Sequence, residues 1–253
     1  MIWLYSKFIS NRLIYTADIF IGKGQYTITT DQSILFSDQL CINYSNETGG
    51  SKSLQIMPHG ILSETVIAQQ EIKIKSWHQL PIFFETNGSI PFDVLAASFY
   101  LISRYEEYLP HEKDMYNRYA HTNSLAYREG FLNKPLVNTW LRDFLEKLLA
   151  RFPGTRYELP AFTFLPTYDI DIAWSYKHKG WMRNLGGFIK KPTTERLKVL
   201  LGLKQDPFNC YDYLDELHKQ YNLDPVYFFL VATSKSNYDK NISPFAKAML
   251  QLI

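Results

Sequence analysis

Residues 161–174 read AFTFLPTYDIDIAW. β-Branched, aromatic and aliphatic residues dominate the run, which predicts a strand over AFTFLPTYDI. Beyond Pro166, Thr167, Asp169 and Asp171 stand at alternate positions, so in an extended chain all three side chains point to one face. Ionising two neighbouring carboxylates is costly unless a cation neutralises one, so the pair suits a metal ligand beside a general base. Its place at the carboxyl end of a strand is where α/β folds gather their ligands.

Downstream the pattern alternates. Helical stretches near 193–202 and 208–220 precede an apolar strand, DPVYFFLVA, and a last helix. This βαβ order predicts a parallel sheet or a barrel. Asp206 before Pro207 and Ser243 before Pro244 each offer a side-chain cap ahead of a first-turn proline. Phe245, Ala248, Met249, Leu252 and Ile253 form an amphipathic stripe with no capping signal after it. Residues 161–253 number 93 and hold two strands, whereas a full (β/α) barrel takes about 200 residues or more. The expectation is an incomplete barrel segment in a chain that is a fragment without activity of its own.

Upstream, LIYTADIF, QYTITT, QSILF, SLQIM and QEIKI read as short strands between polar turns. From Pro91 the period becomes helical through Phe92, Leu95, Ala96, Phe99 and Ile102, extending to about Tyr108. A second helix starts near Pro135, carries Val137, Trp140, Leu141, Phe144, Leu145 and Leu148 on one stripe, and stops before Pro153-Gly154. Helices packed on these strands predict an α+β domain over residues 1–155, followed by the α/β segment over 156–253.

Composition narrows the functional classes. Hydrophobic residues at 46% and charged residues at 21% describe a folded globular chain. A formal charge of +2 excludes the broad positive field of a dedicated nucleic-acid binder. Aromatics at 16%, with 18 Tyr and 17 Phe, suit cores and also sugar-stacking surfaces. Cys41 and Cys210, far apart, form neither a disulfide framework nor a cysteine-rich zinc site. Lys7 and Arg12 interrupt the apolar N-terminus, and no apolar run approaches the ~20 residues of a membrane span, so a cytoplasmic location is expected.

Several of these segments together carry a resemblance. FTFLPTYDIDIAWSYKHKGWMRNLGG (162–187), DPFNCYDYLDEL (206–217) and PVYFFLVATSKSNYDKNIS (225–243) resemble the opening of the polysaccharide deacetylase-like proteins of Bacteroidetes-type bacteria. LPIFFETNGSIPFDVLAASFYLISRYEEYLP (80–110) and SLAYREGFLNKPLVNTW (124–140) resemble the uncharacterised domain that precedes the deacetylase domain there. The resemblance covers about residues 80–253. It implies a distorted (β/α) barrel and a hydrolase acting on carbon-nitrogen bonds other than peptide bonds. The implied substrate is an N-acetylated carbohydrate, and the implied cofactor is a divalent metal, with zinc expected, held by one Asp and two His. Asp169 would be the catalytic base and Asp171 the metal ligand. The common form has adjacent aspartates, whereas Ile170 separates them here, which leaves the two roles open to exchange. His59, His78, His111, His121, His178 and His218 include no pair four residues apart, so the family's histidine motif is not in this chain.

Other residues carry less. Trp174 and Trp181, which follow the Asp pair, are sugar-stacking candidates or loop anchors, with Trp174 the substrate candidate. His178 and His218 are expected at the surface, Glu106 and Glu107 on a solvated helix face beside Arg104, and Leu185-Gly186-Gly187 in a flexible connection. Two other readings compete: an Asp-x-Asp enzyme of phosphate or nucleotide-sugar chemistry, and a non-catalytic module that binds a glycan or a partner. An unfinished barrel would expose apolar strand faces, which predicts oligomerisation through that surface.

Overall fold

The computed structural model describes residues 2–153, 162–190, 192–230 and 241–252, and the chain divides into two compact units, residues 1–157 and 158–253. Both mix helices with small sheets. Among the described residues no helix is long and apolar enough to cross a membrane.

Unit 1 is built on a four-stranded sheet that is parallel throughout. β1 (Ile2–Ser6) lies between β2 (Tyr26–Thr29) and β3 (Cys41–Tyr44), and β4 (Ser53–Gln55) flanks β3. The connection from β1 to β2 runs through α1 (Asn11–Ala17) and a π-helical turn, Asp18–Gly22. The expected strand LIYTADIF is therefore helical. Ser10 caps it by accepting from the Leu13 backbone N–H at 3.0 Å, and Leu13, Ala17, Phe20 and Ile21 bury one face. The β-branched residues of that run imitate a strand, but the cap and the 3.6-residue burial pattern outweigh propensity. QSILF is likewise a 3₁₀ turn over Gln32–Phe36, started by Asp31, whose carboxylate accepts from Ser33 N–H. QEIKI forms no strand: Ile72 and Ile74 pack against the core without a ladder partner, and the ladder begins only at β5 (Lys75–Trp77), antiparallel to β6 (Leu80–Ile82).

The predicted helix from Pro91 is shorter than expected. α2 runs over Val94–Ile102 and starts at Asp93, which accepts from Ala96 N–H at 2.9 Å. It stops at Ser103, because Arg104 turns left-handed (φ 53°) into a separate 3₁₀ turn, Tyr105–Tyr108. α3 (Leu125–Arg128) and α4 (Leu136–Arg151) complete the unit. α4 has the predicted stripe: Leu136, Trp140, Phe144, Leu145 and Leu148 are buried. Trp140 packs edge-on against Phe92 and Phe83, with centroids 5.2 and 5.9 Å away, and Phe144 meets Phe20 at 5.3 Å. Gly154 and Ala161, at the expected domain boundary and strand start, lie outside the described residues.

Unit 2 holds β7 (Thr167–Ile170), α5 (Trp181–Lys190), α6 (Thr194–Leu200), α7 (Tyr211–Tyr221), β8 (Val226–Phe229) and α8 (Lys247–Leu250). β7 and β8 pair in parallel, with Asp169 opposite Phe228. The sheet of this unit has two strands among the described residues, and the tail of DPVYFFLVA from Val231 lies outside them. Leu185-Gly186-Gly187 is not a connection but the middle of α5. Neither proline cap starts a helix as expected: Cys210 precedes α7 and Ala246 precedes α8, while Ser243 accepts from Ala246 N–H through its carbonyl. A small core of Ala173, Trp174, Ile242 and Met249 joins the end of β7 to α8.

Candidate functional site: the carboxylate row of β7

Thr167, Asp169 and Asp171 are exposed, while Tyr168 and Ile170 between them and Ile172 after them are half-buried. The alternation leaves both carboxylates exposed, Asp169 within β7 and Asp171 one residue past its end, at the carboxyl end of a parallel strand pair. Tyr168, on the other face, accepts or donates a 2.9 Å hydrogen bond with His218 Nε2 and stacks on Tyr227 at 5.1 Å. His218 is thus buried in α7 and not at the surface. The signal was in the sequence: with Tyr211, Leu214 and Leu217 it shares the apolar side of an otherwise polar helix.

Immediately after Asp171 the backbone is tied down by side chains from three other segments. Asn241 Oδ1 accepts from Ala173 N–H at 3.3 Å, and the Tyr211 hydroxyl donates to the Ala173 carbonyl at 3.1 Å. The buried Asp206 carboxylate accepts from the successive N–H groups of Ser175, Tyr176 and Lys177 at 2.8, 2.8 and 2.9 Å, and from Phe208 N–H at 3.1 Å. Burial pushes the Asp206 pKa up, but these four donors outweigh it and hold the carboxyl below its ordinary range. Asp206 therefore fixes the loop that follows the Asp pair. In the sequence only its place before a proline marks it.

Trp174 is buried in the small core, its ring 4.7 Å from that of His178 in an edge arrangement, so its face is not offered to a sugar. The loop-anchor reading fits its position. His178 is exposed, as expected, and borders an open groove of about 700 Å³ that α5 and α6 line with Trp181, Leu185, Phe188, Leu197 and Leu200. Trp181 is exposed.

Asp169 and Asp171 do not by themselves make a metal centre. Among the described residues no three His, Cys, Asp or Glu side chains gather to hold an ion. Catalytic zinc takes three protein ligands and an open position, so the described residues do not fit the expected zinc.

In unit 1, Glu106 departs from its expected solvated position. The left-handed Arg104 ends the helix on which that expectation rested, and the Glu106 carboxylate turns inward to accept from Leu125 N–H at 2.8 and 3.1 Å, with Arg128 Nη2 at 3.7 Å. Burial pushes its pKa up against these favourable contacts. Glu107 pairs with Arg104. Both carboxylates border a cleft of about 290 Å³ with Tyr100 and Tyr119.

Residues 2–153 match a family model described as "Family of unknown function (DUF7033)". The match ends before β7. No curated protein and no solved structure matches the chain.

Proposed function

The chain belongs to DUF7033, a family of unknown function, and from that premise we propose that the carboxylate row of β7 is the base-bearing part of a hydrolytic site for N-acetyl groups on a carbohydrate. The observation that carries the reading is the shared exposed face of Asp169 and Asp171 at the end of a parallel strand, above a loop that Asp206 holds in place. The resemblance of residues 162–187, 206–217 and 225–243 to the polysaccharide deacetylase-like proteins supplies the reaction class.

Asp169 takes the proton of an attacking water whose oxygen adds to the acetamide carbonyl carbon. The C–N bond then breaks, the proton passes to the departing nitrogen, and acetate and an amine are released. Asp171, two residues on in the same row, is the alternative base.

Acetate release from an N-acetylated chitooligosaccharide, measured on the protein as its gene encodes it, tests this reading. A general base contributes about 10²–10⁴-fold, so Asp169→Asn should lower kcat/KM by at least about a hundredfold. Turnover that survives both Asp169→Asn and Asp171→Asn sinks the assignment. Among the described residues no third donor gathers beside the pair, which favours a second reading, a non-catalytic module that binds the glycan, for which the same oligosaccharide would bind without releasing acetate.

A further inference from the structure

The near-neutral total charge conceals a strong local asymmetry. Between Lys177 and Lys204 stand eight Lys or Arg and one acid, Glu195, a net +7 in a chain that totals +2, which leaves the remainder at −5. The one acid pairs with Lys204. The same stretch folds as α5 and α6, and it carries some of the most exposed large apolar side chains of the unit: Trp181 at 74%, Met182 at 70%, Ile189 at 74% and Leu203 at 74% exposure.

The two properties are sorted by the helix. At 100° per residue, Trp181, Met182, Leu185, Phe188 and Ile189 fall within one arc of α5, while Arg183 and Lys190 fall on the opposite side. The groove beside that arc is apolar along Leu185, Phe188, Leu197 and Leu200. It offers few hydrogen-bonding groups for a sugar, whose recognition relies on polar groups that fix its orientation. A helix with an aromatic and aliphatic arc, a basic polar side and basic residues at both ends has the character of one that lies in a membrane interface. Basic residues near it are attracted to anionic headgroups.

We infer that the α5–α6 face of unit 2 docks on an anionic lipid surface, with Trp181, Met182 and Ile189 entering the headgroup boundary and Arg183 and Lys190, on the polar side of α5, held at the level of the lipid phosphates and carboxylates. This docking is independent of the carboxylate chemistry of β7. It requires both halves of the pattern, since a basic patch alone attracts any polyanion and an apolar patch alone suits a second copy of the chain.

Cosedimentation of the whole chain with phosphatidylcholine vesicles, with and without phosphatidylserine, tests it. Binding should appear with phosphatidylserine and fall with added salt. Arg183→Gln with Lys190→Gln should weaken it about fivefold for each charge removed. Trp181→Ala with Ile189→Ala should weaken it at least tenfold with an unchanged circular dichroism spectrum, and tryptophan emission should shift to the blue when vesicles containing phosphatidylserine are added to the unaltered chain. Three results would overturn the inference: no dependence on phosphatidylserine, binding that the apolar pair of substitutions leaves intact, or a dimer in solution that those substitutions dissolve while vesicles recruit nothing. The charge pair of substitutions lies on an exposed helix side and keeps the test valid if the apolar pair fails to fold.

Discussion

The Tyr168 hydroxyl and His218 Nε2 lie 2.9 Å apart, joining the inner face of β7 to the buried side of α7. The same strand holds Asp169 on its outer face, so this bond braces the row of carboxylates from behind. His218 Nδ1 has no hydrogen-bond partner among the described residues, which makes Nε2 the one satisfied nitrogen of a buried ring.

Tyr168→Phe therefore leaves a buried imidazole with neither nitrogen paired. A buried polar group stripped of its partner costs about 1–3 kcal/mol. Replacing both partners by apolar rings, as in Tyr168→Phe with His218→Phe, should recover much of that loss, because no orphaned group remains. Hydrogen exchange at the β7 and α7 amides checks the order: fastest in Tyr168→Phe, intermediate in the double variant, slowest in the original. Equal protection in all three would mean that the bond does not brace the strand.

Asp206 makes a pH-dependent prediction. Its pKa is lower in the folded chain than in the unfolded one, so it adds stability above the unfolded value, and that stability is lost as pH falls through the folded value. Hydrogen bonds to charged groups are worth about 1.5–3 kcal/mol, and Asp206→Ala removes four of them. Amide exchange at Ser175, Tyr176 and Lys177 should accelerate in the variant at neutral pH, and the gap from the original chain should narrow under acid. A gap that widens on acidification would contradict the assigned sign.

What the sequence disclosed follows from the range of the forces involved. The stripe of α4 and the alternation around Asp169 are local periodicities, so both could be read directly. Leu13 to Phe20 reads as a strand because its β-branched residues speak for one, while the decision rests on a cap at Ser10 and on burial against distant parts of the chain. The places of Asp206 and His218 are hidden for a related reason. Their partners are 30 and 50 residues away, at Tyr176 and Tyr168, and no spacing rule connects them. The pair Gly186-Gly187 suggests flexibility, whereas a glycine within a helix also marks a place where another group packs closely.

Asp93 titrates in the opposite direction from Asp206. It caps α2, receives the Tyr44 hydroxyl and the His59 N–H, both at 2.7 Å, and is fully buried, which pushes its pKa up to about 6 despite those donors. Between about pH 4 and 6 the folded chain keeps a proton that the unfolded chain has released, so this group's contribution to stability is present below its unfolded pKa and declines as pH rises through its folded one. A carboxyl that titrates at about 6 instead of in the ordinary Asp range corresponds to about 3 kcal/mol at most. Asp93→Asn should flatten this decline, seen as a smaller change in urea midpoint of unit 1 between pH 4 and 7 relative to the original chain. An unchanged pH dependence would show that Asp93 stays ionised in the fold.

Gly186 and Gly187, adjacent in α5, should respond differently to alanine. Helix propensity alone favours Ala over Gly by about 1 kcal/mol in a helix interior. A Cβ on Gly186 meets nothing within 4 Å, so Gly186→Ala should gain most of that amount. A Cβ on Gly187 would lie 2.1 Å from Arg196 Nη1 and 2.8 Å from Cζ, so the guanidinium must leave its seat. There it donates to the Asn184 carbonyl at 3.0 Å and lies 5.0 Å from the centroid of the Tyr176 ring. Losing a hydrogen bond of about 1 kcal/mol and a cation–π contact of about 0.5–1 kcal/mol cancels or exceeds the propensity gain. Gly187→Ala should then be neutral or destabilising in the original chain and stabilising in an Arg196→Ala background, where nothing occupies the space. Exchange protection of the α5 amides in the four variants reads the difference, and a gain from Gly187→Ala that is the same with and without Arg196 would show that the guanidinium does not pack against this helix.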